Sequence, residues 1–212
     1  MTAVAAPLPA AAPSTLFAFD LDGTVTKREI LPLIAGALDL YDEMVLLTRL
    51  TLDGTLRFEE SFRLRVQILR SVPVSRVQRI VEEVPLDAGI ESFIRANRER
   101  CAIVTGNLDC WIAPLVERLG CASFSSTALT DGDQLTGIRA IQNKSHAIQA
   151  MRGRAGRVVA IGESTNDLPM FEEADVGVAF GGVHEPVPAL VQISDYVTYD
   201  SSALCDLLAT LS

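Results

Sequence analysis

Asp20 and Asp22 stand two residues apart in the stretch LFAFDLDGTVT, residues 16–26. Two like charges that close repel, and each loses hydration at the edge of a core. Such a pair persists where a cation lies between its members, and carboxylate oxygens are what a hard ion such as Mg²⁺ takes. Three further signals lie downstream: TGN at 105–107, Lys144, and GESTND at 162–167. The Thr105 hydroxyl and the backbone amides of Gly106 and Asn107 can donate to phosphoryl oxygens, and the Lys144 ammonium can neutralise further charge. A carboxylate beside the metal can attack phosphorus and form an aspartyl-phosphate. A second carboxylate can protonate the leaving oxygen and then activate water. Most of what remains in phosphoryl transfer is positioning and charge. Taken singly, each signal has an ordinary reading: a turn for DLDG and for TG, a solvated side chain for Lys144, a helix cap for GESTND. The chemistry depends on their meeting.

The elements that would bring them together are short apolar runs of the buried parallel type: TLFAF (15–19), CAIVT (101–105), RVVAI (157–161) and DVGVAF (175–180). Helical patterns separate the later runs, as in a βαβ series. The first three runs end in the polar signals, and open α/β sheets bind ligands outside the carboxyl ends of their strands. The expected fold is therefore α/β, a Rossmann-like three-layer α/β/α core around a parallel sheet. Residues 122–139 read as a hairpin about an Asp-Gly turn. Residues 27–87 carry four helical patterns and are expected to form a small helical cap over the crevice. The expected division is a disordered tail at 1–14, a core of 15–26 and 88–212, and the cap between.

Composition narrows the partners. With 18 basic and 27 acidic residues the net charge of the 212-residue chain is −9, which argues against nucleic acid or an anionic membrane. No apolar run reaches the roughly 20 residues that span a bilayer. The four cysteines lack CxxC spacing, which fits reduced thiols in a cytoplasmic protein. Mg²⁺ is the expected cofactor, with Mn²⁺ also suited to the same donors. Monomer and homodimer stay open.

In RFEESFRLRVQILR, 57–70, helical periodicity places Phe58, Phe62, Val66 and Leu69 on one apolar stripe, with Arg65 in its middle. An inward guanidinium needs an anion. The readings open are a side chain that snorkels back to solvent, a structural acid, and a ligand carboxylate, which Arg grips with two parallel hydrogen bonds.

DLDGT resembles the first motif of the haloacid dehalogenase superfamily of phosphohydrolases. Thr105, Lys144 and GESTND match its second, third and fourth motifs in order. The resemblance implies Asp20 as nucleophile and Asp22 as general acid/base. It implies metal ligation by the Asp20 side chain, the Asp22 backbone carbonyl and a fourth-motif carboxylate, read here as Glu163 with Asp167 in close support; it also implies substrate contact by Asn166. The segment around residues 57–70 resembles the cap of phosphoserine phosphatases, which carry a Phe and, seven residues on, an Arg, matching Phe58 and Arg65. They also carry a Glu nine residues after the nucleophile, matching Glu29. That resemblance implies Glu29 on a substrate ammonium, Arg65 on its carboxylate and Phe58 closing the pocket, with O-phospho-L-serine as substrate. Three features depart from it: TGN where Ser-Gly-Gly is usual, Glu163 where Asp is usual, and Trp111 near the second motif, read as core. A phosphatase for another small metabolite, a phosphotransferase to an alcohol such as homoserine, and a non-catalytic phosphate-binding protein stay open.

Overall fold

A computed structural model describes residues 15–212; the tail expected at 1–14 lies outside the described residues. Among the described residues seven strands form one sheet in the order β4-β3-β2-β1-β5-β6-β7. They are β1 (Thr15–Phe19), β2 (Cys101–Leu108), β3 (Ala122–Asp131), β4 (Gln134–Ala140), β5 (Arg157–Gly162), β6 (Val176–Phe180) and β7 (Tyr196–Thr198). All neighbours are parallel except β3 and β4, which pair antiparallel as the expected hairpin about Asp131 and Gln134. The hairpin also joins the main sheet, because β3 runs parallel to β2.

Ten α-helices accompany the strands among the described residues. Between β1 and β2 lie α1 (Ile30–Ala35), α2 (Tyr41–Leu52), α3 (Phe58–Leu69), α4 (Val74–Glu82) and α5 (Ala88–Ala96). After them come α6 (Asp109–Leu119), α7 (Lys144–Arg152), α8 (Leu168–Glu173), α9 (Pro188–Ile193) and α10 (Ser201–Thr210). Successive strand residues point to opposite faces, and β1 divides accordingly. Phe17 and Phe19 join a core with Ile90, Ile94, Leu115 and Leu204, from α5, α6 and α10. Leu16 and Ala18 join a second core with Ile148, Met151, Met170 and Leu190, from α7, α8 and α9. These are the three layers expected. Both faces of β1 are covered, so its apolar run leaves the polar residues nowhere to go but its carboxyl end.

Two local irregularities shape that end. Beyond β1 the chain turns over Leu21–Val25, closed by a Thr26 N–H to Leu21 carbonyl bond of 2.9 Å. Gly23 sits at φ +73°, a conformation that favours glycine, and the Glu163 carboxylate fills the place a Cβ would take, with Oε1 at 2.1 Å from it. On the other side, β2 spends four residues from Val104 to Leu108 while β3 spends two from Phe124 to Ser126. The extra length bulges at Thr105–Asn107, and the Ser126 hydroxyl holds it by donating to the Gly106 carbonyl at 2.6 Å. Bulges of this kind re-aim side chains beside functional sites.

Candidate active site

The carboxyl ends of β1, β2 and β5 meet over one cleft. Asp20, Asp22, Glu29, Phe58, Arg65, Thr105, Gly106, Asn107 and Asn166 all line it, with Thr48 and Ser164. Lys144, Glu163 and Asp167 lie buried against it. Every candidate site residue read from the sequence is therefore gathered in one place, from segments spread over nearly 150 positions.

Lys144 is the first residue of α7, where a cation opposes the helix dipole. Two carboxylates compensate: its Nζ donates to Asp20 Oδ1 at 2.5 Å and to Asp167 Oδ1 at 2.6 Å. Burial works against the ammonium, but the two acids outweigh it and raise its pKa. The other Asp167 oxygen accepts from the Glu163 and Ser164 amides at 2.9 and 2.8 Å. Asp167 thus ties the β5 end to Lys144, a supporting position rather than one facing the cleft.

Asp22 Oδ1 accepts from the Ile30 amide at 2.8 Å, at the start of α1. Its Oδ2 contacts the Asn107 side-chain amide. The side chain that TGN places where Ser-Gly-Gly has none therefore reaches the second aspartate. Gly106 is the other constrained position of this segment: a Cβ there would lie 2.1 Å from Phe58 Cζ. Phe58 stacks on Phe62, with ring centroids 5.4 Å apart.

The acids are crowded. Burial, then Asp167, pushes Asp20 up from 3.8 to about 7. Burial, then Glu29 and Asp20, holds Asp22 well above its usual range. Burial pushes Glu163 up to about 10, with Asp20 and Glu29 adding to it. Both Glu163 oxygens are buried without a hydrogen-bond partner. An acidic set with orphaned oxygens fits a divalent cation: the donors are all oxygen, and an ion among them would supply the missing partner. Glu163 fits a direct ligand better than Asp167, whose oxygens are already engaged.

Arg65 is 4% exposed, on the buried face of α3 as its periodicity required. It donates to Thr48 Oγ1 at 3.2 Å and to the Ser61 carbonyl at 3.4 Å. No carboxylate pairs with it among the described residues, so the structural-acid alternative finds no acid. Burial lowers its pKa, opposed by the field of Asp22 and Glu29. Trp111 is fully buried in the core, as read from sequence.

Glu29 holds one feature that was missed. Its Oε1 lies 3.1 Å from Nε2 of His184, in the FGGVHEP segment beyond β6. That segment follows the end of a fourth parallel strand, so the rule that located the other three signals could have found it.

Comparison with known proteins bears on this arrangement. The family model described as haloacid dehalogenase-like hydrolase matches residues 17–172, a span containing every residue singled out in the sequence. The chain is 29% identical over 178 residues to a phosphoserine phosphatase of Archaeoglobus fulgidus, covering 78% of this chain and 52% of that one. It is 29% identical over 213 residues to a phosphoserine phosphatase of Idiomarina loihiensis, covering 93% and 94%. It thus spans about half the length of some curated relatives and nearly all of others. A solved structure described as "Phospho-Aspartyl Intermediate Analogue of Phosphoserine phosphatase" aligns with a TM-score of 0.79 at 25% identity, over 92% of this chain and 99% of that chain.

Proposed function

The chain belongs to the haloacid dehalogenase-like hydrolases, and we propose that within that family it is a phosphomonoesterase for O-phospho-L-serine or a close relative. The observation that carries the substrate choice is the cleft's pair of opposite charges. Arg65 is a buried guanidinium with no acid paired to it among the described residues, and Glu29 is a carboxylate on the same cleft as Asp20. An α-amino acid ester offers a carboxylate to the first and an ammonium to the second. The family and the phosphoserine phosphatase relatives support the same reading.

In the proposed reaction Asp20 attacks phosphorus. Lys144 occupies Oδ1, which leaves Oδ2 to form the new P–O bond as the ester P–O bond breaks. Asp22, whose environment favours its acid form, gives its proton to the departing serine oxygen. It then takes a proton from water, which attacks phosphorus and frees Asp20 as phosphate departs. Thr105, the Gly106 and Asn107 amides and Lys144 hold the phosphoryl oxygens, Asn166 contacts the substrate, and Phe58 closes the cleft. Asp20, the Asp22 carbonyl and Glu163 would hold Mg²⁺, or Mn²⁺, with Asp167 in support. Bound there, the ion supplies charge that neutralises the carboxylates and the developing phosphoryl charge. The helical segment 27–87 serves as the cap, and 15–26 with 88–212 as the core. No helix among the described residues is long and apolar enough to cross a membrane, and a cytoplasmic location fits the proposed small-metabolite substrate.

The test is phosphate release with Mg²⁺ from phospho-L-serine, phosphothreonine, phosphoethanolamine, phosphocholine, a nucleoside monophosphate and p-nitrophenyl phosphate. A kcat/KM for phosphoserine far above that for phosphoethanolamine, which lacks only the carboxylate, is expected. Comparable rates on the two would retire the phosphoserine assignment.

A further inference from the structure

The Asn107 side chain is 5% exposed, and among the described residues it makes one hydrogen bond, from Nδ2 to Asp22 Oδ2. The other end of the amide, Oδ1, is buried without a partner. Burying a half-satisfied amide is costly, and the bond this one makes ties no two parts of the fold together except through Asp22. The backbone that presents it is held on the bulge of β2, where the Gly106 carbonyl accepts from the Ser126 hydroxyl. Asp22 lies in the turn after β1, and its Oδ1 accepts from the Ile30 amide at 2.8 Å. One hydrogen bond leaves a carboxyl group free to turn about its Cβ–Cγ bond. A second bond, from another element to the other oxygen, fixes its plane. Ile30 is fully buried, whereas Asn107 and Asp22 both line the cleft, so Asn107 grips the carboxyl group from the cleft side.

We propose that the Asn107 side chain is a positioning residue for Asp22, fixing the plane of that carboxyl group so that its proton is aimed at the leaving oxygen. This role rests on Asp22 being the acid of the proposed reaction. In that step the bond between phosphorus and the ester oxygen breaks and the oxygen keeps the electron pair. The oxygen takes the Asp22 proton as Asp20 bonds to phosphorus, and Asp22 becomes a carboxylate. A hydrogen bond is stronger to a carboxylate than to its acid, so the Asn107 bond strengthens as the proton departs, which is how a contact comes to favour the transition state. The role belongs to the side chain; the backbone amide of Asn107, assigned to the phosphoryl oxygens, is a separate group.

The leaving group is the probe. An alkoxide needs that proton; p-nitrophenolate, a stable anion, does not. Asn107→Ala and the near-isosteric Asn107→Leu both remove the side-chain amide and keep the backbone one. With Mg²⁺, kcat/KM is measured for phosphoserine, phosphoethanolamine and p-nitrophenyl phosphate, with Asp22→Asn as reference. Both Asn107 variants should lose at least about tenfold more on the two alkyl esters than on the aryl ester. Asp22→Asn should show the same bias, larger, and adding Asn107→Ala to it should not enlarge that bias. Losses of equal size on all three esters in both Asn107 variants, or a bias that adds to that of Asp22→Asn, overturn the positioning role. If Asp22→Asn shows no bias, Asp22 is not the acid and the role falls with that reading. If Asp22→Asn shows it and the Asn107 variants do not, the role of Asn107 alone falls. Two alkyl esters are compared with one aryl ester, so the outcome is independent of which alkyl ester the enzyme prefers.

Discussion

Replacing Arg65 with methionine separates what this side chain does for the fold from what it does for a ligand. A guanidinium has five N–H donors. Two of them are used here, on the neutral oxygens of Thr48 and Ser61, and the residue is 4% exposed. Burial already pulls its pKa down against the attraction of Asp22 and Glu29, so the folded state holds this charge at a cost. Methionine keeps most of the volume and removes the charge. Apolar replacement of buried ionic groups can gain about 1 kcal/mol or more, which for a chain of this size is a Tm rise of about 2–4 °C. Catalysis should move the other way. Breaking a buried charge pair with a substrate carboxylate costs about 2–5 kcal/mol, so kcat/KM for phosphoserine should fall by about 30-fold or more. Phosphoethanolamine has no carboxylate to lose and should change by less than about threefold. Calorimetry and phosphate release on both esters give the answer in one preparation. An equal loss on the two substrates, or a drop of several degrees in Tm, would refute the reasoning and make Arg65 a structural residue.

The other expectations concern the walls of the cleft and the charges around it. Gly106→Ala puts a methyl 2.1 Å from Phe58 Cζ and should displace the ring, cutting kcat/KM by about a hundredfold; combining it with Phe58→Ala should remove the clash, so the double variant should be no worse than Phe58→Ala alone. Asp20 and Glu163 bind protons more tightly folded than unfolded, so without metal the stability should fall as pH rises from about 4 toward 7 for the first and about 10 for the second. Saturating Mg²⁺ should raise Tm and flatten that slope; an equally steep pH dependence of Tm with Mg²⁺ present would contradict the metal assignment. On the surface, Arg118 meets Glu91 with two bonds of 2.8 and 2.7 Å, and these lower the Glu91 pKa. A depressed carboxylate stabilises above its unfolded pKa, so Arg118→Ala should cost about 0.5–1 kcal/mol at pH 7. Denaturant titration should find that difference gone once Glu91 is protonated in acid.

Much of this site was legible because it follows one rule. Parallel strands with both faces covered read as unbroken apolar runs, and their polar ends must face the crevice. TLFAF corresponds to β1 residue for residue, and DVGVAF to β6 within one residue. Arg65 was legible for a second reason: a charge inside a 3.6-residue apolar stripe has to be buried, and it is. What escaped was set by tertiary contact. CAIVT carries no sign that its strand runs on to Leu108 through a bulge, because the bulge exists only against β3. The reach of Asn107 to Asp22, and of His184 to Glu29, depends on loops whose paths no periodicity encodes. The choice between Glu163 and Asp167 turned on hydrogen bonds: Asp167 spends both oxygens on Lys144 and backbone amides, and Glu163 spends neither.

The strand order has a consequence for how the molecule comes into being. β1, which leads directly into Asp20, is held between β2 and β5, and its Thr15 lies opposite Arg157. Its second neighbour is therefore made long after it, and such distant pairings are slow to close. A chain still being synthesised exposes an apolar strand ending in two aspartates until β5 and α7 arrive. Until then Asp20 lacks Lys144, and the acidic cluster has no cation of its own. Asp20 is thus made well before the Lys144 that completes it, so on the proposed reading a partly folded chain is kept from hydrolysing anything by the topology that later makes it competent.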